Sequence, residues 1–167
     1  DNANCNQDAQ VVVNGSGGTP PYEYAFIEDG VVPSAGAWTS NNLAFLDVAV
    51  NTNWDVYIRD ANGCNISTPL DVVIGSDPLP SVTLPSFADD QCTSVGNSYT
   101  FTATPGGGEI TPVRYSIDGV NFQSSPTFTV SSDGTYTVTI RDGNGCPATD
   151  IITIYPPLQV NALVSAQ

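Results

Sequence analysis

The residues that could do chemistry in this chain are its 17 acidic side chains and four cysteines, because the sequence contains no His and no Lys. A Ser-His-Asp triad, a Cys-His pair, a His-bound metal and a lysine Schiff base are therefore excluded. Two carboxylates could cleave a glycosidic bond, but the pattern places the acidic residues mostly in turns and on outward strand positions. The Gly-rich segments GSGGT and PGGGE lead into no helix, so they are not phosphate-binding loops. The sequence indicates a protein that is not an enzyme.

Calcium is the ligand that the acidic residues could hold. It prefers oxygens from Asp, Asn and backbone carbonyls, and two Asp-x-Asn-Gly turns, 60–63 and 142–145, supply such oxygens. The candidate ligands are Asp60, Asn62, Asp142, Asn144, Asp77 and Glu109. The alternative is that both segments are hairpin turns, since Asn-Gly favours hairpins and Asp and Asn side chains cap turns. No cofactor is required under either interpretation.

An internal repeat organises the chain. Residues 54–64 read WDVYIRDANGC and residues 136–146 read YTVTIRDGNGC, without a gap across the match. The pattern predicts three segments, which are repeat 1 over 1–77, repeat 2 over 78–157, and the first strand of a following repeat or a C-terminal tail over 158–167. The closing PLQVNALVSAQ resembles PLPSVTLPSFADDQC, which opens repeat 2. This similarity predicts a longer array.

Each repeat has the pattern of short β-strands. In TYTVTIRD, Tyr136, Val138 and Ile140 alternate with polar residues, and this period of two marks a strand with one buried face. WDVYIRD and SYTFTAT alternate in the same way, and Gly and Pro interrupt the chain at short intervals. The pattern predicts an all-β protein of two tandem immunoglobulin-like β-sandwich repeats, end to end. Tyr136 begins the sixth strand, where such domains place a corner tyrosine, and Trp54 takes this position in repeat 1.

The four cysteines are predicted to form one disulfide within each repeat, Cys5–Cys64 and Cys92–Cys146. Each repeat has one early and one late cysteine, so these pairs make each repeat self-contained. In an immunoglobulin-like sandwich, the first strand is also expected to start at the end where the loop between the last two strands lies. This would place Cys5 near Cys64. Free, buried thiols are the alternative, because a protein that is not secreted keeps its cysteines reduced.

The net charge of −14 limits the partners of the chain. Such a surface repels nucleic acids and anionic membranes, and no apolar run approaches the ~20 residues of a membrane-spanning helix. We therefore predict no nucleic-acid binding and no membrane insertion. Polysaccharide, cations, like subunits and neighbouring repeats of the same chain remain as partners, although solubility alone also explains the charge.

Four segments resemble the SprB-type repeat, which occurs in long arrays in gliding adhesins and other large surface proteins of Bacteroidetes. They are GTPPYEY at 18–24, WDVYIRDANGC at 54–64, YSIDG at 115–119 and GTYTVTIRDGNGC at 134–146. Repeat 1 departs from the pattern before its sixth strand, where it reads NTNW. The resemblance implies type IX secretion, an extracellular location at the cell surface, and a role in adhesion, gliding motility or spacing. It brings no catalytic residue.

These observations predict a structural repeat module of a secreted cell-surface adhesin or filament. One alternative is a polysaccharide-binding module that uses the outward-facing Tyr57, but its counterpart in repeat 2 is Thr139, which favours the spacer. A second alternative is a self-assembling filament subunit, in which residues 158–167 add a strand to a neighbouring chain. Two threonine rows, at 100, 102 and 104 and at 135, 137 and 139, are also typical of ice-binding faces, although exposed strands in general favour β-branched residues.

Overall fold

The computed structural model describes residues 1–86, 92, 98–158 and 160. The chain divides into two compact units, Asp1–Asp77 (unit 1) and Pro78–Gln167 (unit 2). The described residues form strands and turns, with one 3₁₀ turn at Ala35–Ala37. No helix in this part of the chain is long and apolar enough to cross a membrane.

Unit 1 has five strands in two antiparallel sheets. They are β1 (Ala9–Val12), β2 (Glu23–Glu28), β3 (Leu43–Leu46), β4 (Asn53–Arg59) and β5 (Leu70–Val73). Strand β1 pairs with β3, and β4 lies between β2 and β5. Apolar side chains from both sheets form the core, including the buried Ala9, Leu46, Ile74, Tyr24 and Val56.

The described residues of unit 2 form seven strands. They are β6 (Ser81–Thr83), β7 (Tyr99–Thr102), β8 (Thr104–Gly106), β9 (Arg114–Ser116), β10 (Thr127–Val130), β11 (Gly134–Arg141) and β12 (Pro147–Ile154). Strand β11 lies between β9 and β12, β7 pairs with β10, and β6 pairs with β8. The core includes Val138 and Ile140, which are fully buried, and the rings of Phe101 and Phe128, whose centroids lie 5.8 Å apart.

The two units share one topology. The three-stranded sheet β2-β4-β5 corresponds to β9-β11-β12, and the two-stranded sheet β1-β3 corresponds to β7-β10. Each unit also has a cis proline just before the first strand of its larger sheet, at Pro20–Pro21 and Thr111–Pro112. The all-β, immunoglobulin-like fold predicted from the sequence is confirmed. Most of the predicted tail at 158–167 lies outside the described residues.

The strand periodicity holds in β7 and β11, where apolar residues point inward as predicted. It fails at Asp55, which was expected to face outward but is only 4% exposed. The reason is the turn after β2, where the Gly30 N–H donates to Asp55 Oδ2 over 3.0 Å and brings that turn over the carboxylate.

The predicted corner residues, Tyr136 and Trp54, both bond to the backbone just upstream of their strand. Tyr136 Oη donates to the Ser132 carbonyl, and Trp54 Nε1 donates to the Asn51 carbonyl.

Candidate functional site

The Asp-x-Asn-Gly-Cys turn, present once in each unit, is the candidate site. In unit 1 it follows β4, and the Asp60 carboxylate lies at its centre. Oδ1 of Asp60 accepts the backbone N–H groups of Asn62 and Cys64, both at 2.9 Å, and Oδ2 accepts that of Thr19 at 3.0 Å. These hydrogen bonds, above all that from Cys64, hold the pKa of Asp60 below its usual value. Both carboxylate oxygens therefore already have backbone partners.

The turn of unit 2 has the same geometry. Oδ1 of Asp142 accepts the backbone N–H groups of Asn144 at 3.0 Å and Cys146 at 2.8 Å. The Gly145 N–H donates to the Asp142 carbonyl at 2.9 Å and closes the turn. Here the carboxylate is buried, since Asp142 is only 5% exposed. A carboxylate that organises backbone N–H groups is what the hairpin interpretation of these segments predicts.

The remaining calcium candidates lie in two different places. Asp77 lies beyond the end of β5, at the other end of that strand from Asp60, and its Oδ1 accepts a hydrogen bond from Asn2 Nδ2 at 2.9 Å. Glu109 precedes Ile110, whose carbonyl accepts the Gly143 N–H, so it is near the turn of unit 2. Among the described residues, no three acidic or cysteine side chains group as a metal site would require. Calcium binding stays a prediction.

Calcium should contribute little to the stability of this chain. Because the turn carboxylates already accept backbone N–H groups, we expect the midpoint of thermal unfolding to change by no more than about 2 °C between excess calcium and chelator. Magnesium at the same ionic strength is the control for screening. A shift of many degrees with calcium alone would instead establish a site in the folded state.

The predicted disulfides Cys5–Cys64 and Cys92–Cys146 are wrong. Cys64 and Cys92 have free, exposed thiols, whereas Cys5 and Cys146 are disulfide-bonded. The reason is where the early cysteines lie, because the chain at or near each early cysteine makes a parallel bridge to the residues that follow the last strand of its unit. In unit 1, Ala3 pairs in parallel with Ser76, beyond β5.

In unit 2, Cys92 pairs in parallel with Tyr155, just after β12, whereas Cys146 lies just before β12. That strand has eight residues, which at ~3.4 Å each separate the early and late positions by about 27 Å. A disulfide requires Cα atoms within ~7 Å. The early and late cysteines of one unit therefore cannot bond to each other.

An arginine covers an aromatic ring in both units. The Arg59 guanidinium lies 4.4 Å from the centroid of the Trp38 ring, and that of Arg141 lies 4.5 Å from the Phe122 ring. The Arg59 Nε also donates to Glu23 Oε2 at 2.6 Å. One face of Trp38 is therefore occupied, which leaves less of this ring for stacking on a sugar. The two arginine–aromatic contacts were not predicted from the sequence, although both arginines occur in the repeated IRD motif.

Asp118 is a second organising carboxylate that the sequence did not single out. Its Oδ1 accepts the backbone N–H groups of Val120 and Asn121 and the hydroxyl of Ser116, and its Oδ2 accepts Asn121 Nδ2. These hydrogen bonds, above all those from Asn121, hold the pKa of Asp118 far below its usual value of 3.8. The YSIDG motif contains this residue and was the signal that could have indicated it.

The stabilisation from Asp118 should depend on pH. A carboxylate whose pKa is lower in the folded state stabilises it above the unfolded pKa, and this effect is lost as the pH falls toward the folded pKa. We expect Asp118→Ala to lower the melting temperature at pH 7, by an amount that shrinks steadily below about pH 4. The exposed Asp133→Ala is the control. A difference that is constant between pH 7 and pH 2.5 would contradict the role of the charge.

Comparison with known proteins finds similar folds only. No family model and no curated protein matches the chain. Among solved structures, it is similar to fibronectin(III)-like modules of Clostridium thermocellum CbhA, at 16% identity and a TM-score of 0.42, over 97% of this chain and 93% of that one. A 1.5-MDa bacterial ice-binding adhesin is similar at 15% identity and a TM-score of 0.45, over 92% of this chain and 58% of that one. A fragment of intimin is similar at 15% identity and a TM-score of 0.35, over 84% and 55%.

Proposed function

We propose that this chain is a structural repeat module, a spacer in the stalk of a secreted cell-surface adhesin or filament. The observation that carries the proposal is that both units use the same polar groups to hold their own backbone. In each unit the turn Asp accepts backbone N–H groups, the preceding Arg covers an aromatic ring, and the corner Tyr or Trp bonds to the chain upstream. Each of these groups contacts its own unit, which is the use of side chains that a structural module requires.

Charge and cysteine chemistry support an extracellular location. A net charge of −14 keeps crowded copies of a surface protein apart. Disulfides, in which Cys5 and Cys146 take part, persist in oxidising compartments outside the cytosol. Type IX export and a role in gliding are the finer parts of the proposal, and they come from the resemblance to SprB-type repeats.

A replacement experiment in the cells that make the whole protein tests the spacer role. The segment 1–157 is either deleted or exchanged for two unrelated β-sandwich domains of the same total length, and adhesion of the cells is measured. A spacer predicts that deletion impairs adhesion and that the unrelated domains restore it. If the unrelated domains fail to restore adhesion while the protein still reaches the cell surface, the segment itself recognises a ligand.

The polysaccharide alternative makes the opposite prediction in that experiment. Its candidate contact Tyr57 is half-buried in β4, opposite Ala25 on β2. A glycan-binding screen of the isolated chain, with Tyr57→Ala as the matched variant, tests this alternative separately. Saturable binding that Tyr57→Ala abolishes would favour the binding module over the spacer.

Strand addition is a second candidate function, and β6 supports it. In unit 2, β6 pairs with β8, its Val82 is buried, and the adjacent Leu84 N–H donates to Asp150 Oδ2 on β12 at 2.8 Å. The segment fits closely, because a Cβ on Gly107 would lie only 2.8 Å from Ser81 Oγ. The opening of the repeat is thus a strand that seals the edge of its own sandwich.

In unit 1, the loop between β1 and β2 lines an open groove. The lining combines apolar side chains, such as Tyr22, Ile58 and Ile66, with the polar Arg59, Asp60 and Asn65. The segment PLQVNALV that starts at Pro157 has a sequence like that of PLPSVTLP, which contains β6. In this candidate function the occupant of the groove is segment 157–167 of a second copy.

Sedimentation of the full chain and of a chain ending at Pro156 tests strand addition. Both proteins carry Cys64→Ser and Cys92→Ser, so that no disulfide can join copies. The full chain should associate as its concentration rises, the shortened chain should remain a monomer, and a synthetic peptide of residues 157–167 should bind the shortened chain. A full chain that stays monomeric at all concentrations would exclude this function.

A further inference from the structure

The four cysteines occupy only two structural positions. The late position is the residue after the Asp-x-Asn-Gly turn, and both Cys64 and Cys146 donate their backbone N–H to the turn carboxylate, at 2.9 and 2.8 Å. Both also accept the backbone N–H of that Asp at 3.1 Å. The early position is occupied by Cys5 and Cys92. Cys92 bridges to Tyr155, just after the last strand of unit 2, and Ala3, two residues before Cys5, bridges to Ser76, beyond the last strand of unit 1.

At each position one cysteine is oxidised and the other is free. In the late position, Cys146 is disulfide-bonded and only 2% exposed, whereas Cys64 is exposed and has a free thiol. In the early position, Cys5 is disulfide-bonded and Cys92 is exposed and free. The same backbone setting thus already holds a half-cystine in the other unit, so Cys64 and Cys92 are more than isolated surface thiols.

The partner of a free cysteine must come from outside its own unit. The early and late positions lie at opposite ends of the last strand, about 27 Å apart in unit 2, whereas a disulfide needs Cα atoms within ~7 Å. The two oxidised cysteines include one of each position. The free pair, Cys92 and Cys64, likewise includes one early and one late cysteine. We therefore expect a disulfide to join an early position to a late one.

We propose that Cys64 and Cys92 are the two complementary halves of a covalent joint, in which Cys64 of one copy of this chain forms a disulfide with Cys92 of another. One thiolate attacks a disulfide oxidant, either a small disulfide or a disulfide-carrying oxidoreductase, and releases one thiol from it. The second cysteine thiolate then displaces the other half of the oxidant. Two cysteine thiols thereby lose two electrons and two protons, and the oxidant is reduced to two thiols.

A mixing experiment with single-thiol variants tests the complementarity. Cys92→Ser leaves only Cys64 free, Cys64→Ser leaves only Cys92 free, and isotope labelling of one variant makes the three possible dimers distinct by mass. The two are mixed in equal amounts in a glutathione redox buffer and analysed under denaturing, non-reducing conditions. We expect the mixed dimer to exceed each like dimer by about tenfold, which is about five times the excess that random pairing gives.

A third variant supplies the matched control. It carries Cys64→Ser, Cys92→Ser and Ser131→Cys, which moves the free thiol to another exposed position of unit 2. Mixed with the Cys64-only variant, it should give mixed dimers at no more than twice the amount of either like dimer, the statistical ratio. The proposal fails if the Cys64-only and Cys92-only mixture is also statistical, if it gives no dimer, or if peptide mapping finds the new bonds at Cys5 or Cys146. Circular dichroism of each variant verifies that it is folded.

Discussion

Ile140→Ala should lower the free energy of unfolding of unit 2 by about 3–4 kcal/mol, within the range for large-to-small changes in a close-packed core. Ile140 is fully buried on β11, between β9 and β12, and belongs to the same core cluster as Phe101 and Ile152. Removing most of its side chain exposes these neighbours to a cavity that the paired strands cannot close. The loss combines the transfer free energy of the removed methyl and methylene groups with the free energy of that cavity.

Urea unfolding followed by two probes isolates this effect. Both tryptophans of the chain, Trp38 and Trp54, belong to unit 1, so their fluorescence follows unit 1, whereas far-ultraviolet circular dichroism follows both units. Ile140→Ala should shift the dichroism transition and leave the fluorescence transition in place. The matched control Ile151→Ala changes a residue of β12 that is 61% exposed and should alter stability by less than about 0.5 kcal/mol. Equal effects of the two substitutions would mean that the core is not where the structure places it.

Asp142→Ala should destabilise unit 2 by about 2–4 kcal/mol, because it leaves buried backbone donors without an acceptor. The Asp142 carboxylate accepts the N–H of Cys146, a residue that is 2% exposed, and that of Asn144. Water cannot readily replace the lost acceptor at this depth, so the desolvation of these N–H groups is no longer offset.

The same turn in unit 1 supplies the control, since Asp60→Ala removes an equivalent carboxylate from an exposed site. There the Cys64 N–H can donate a hydrogen bond to water once the carboxylate is removed, so we expect a smaller loss of stability. Tryptophan fluorescence follows the unfolding of the Asp60→Ala variant, and circular dichroism follows the unfolding of the Asp142→Ala variant. If Asp60→Ala were the more damaging of the two, burial would not be the factor that sets the strength of these turns.

Local periodicity was sufficient to predict the fold. The alternation in TYTVTIRD fixes which face of β11 is buried, because side chains of a strand alternate between faces whatever its partners are. The corner residues Tyr136 and Trp54 were likewise indicated by position alone. Asp55 shows the limit of this reasoning, since a turn from elsewhere in the chain can cover a face that the pattern marks as outward.

The cysteine pairing could not be predicted from the repeat, because it depends on non-local strand pairing. The parallel bridge between Ala3 and Ser76 sets the end of unit 1 at which Cys5 lies, and nothing in the sequence near Cys5 specifies that bridge. The Arg59–Trp38 contact is similar, since it joins residues from separate strands and turns. The repeated turns are visible in the sequence, but the hydrogen bonds that their carboxylates accept depend on the folded backbone.

The arginine–aromatic stacks have a consequence for the colloidal behaviour of the protein. The chain has three cations against 17 anions, and two of these cations, Arg59 and Arg141, lie over ring faces. With only three cations in the chain, few positive charges are available to attract the carboxylates of an adjacent molecule, and a dense layer of such chains would behave as a polyanion brush. Its reach follows the Debye length, which falls from about 30 Å at 0.01 M salt to about 8 Å at 0.15 M. Ionic strength would thus set how closely such chains pack in a dense layer, with a swollen layer in fresh water and a compact one in brine.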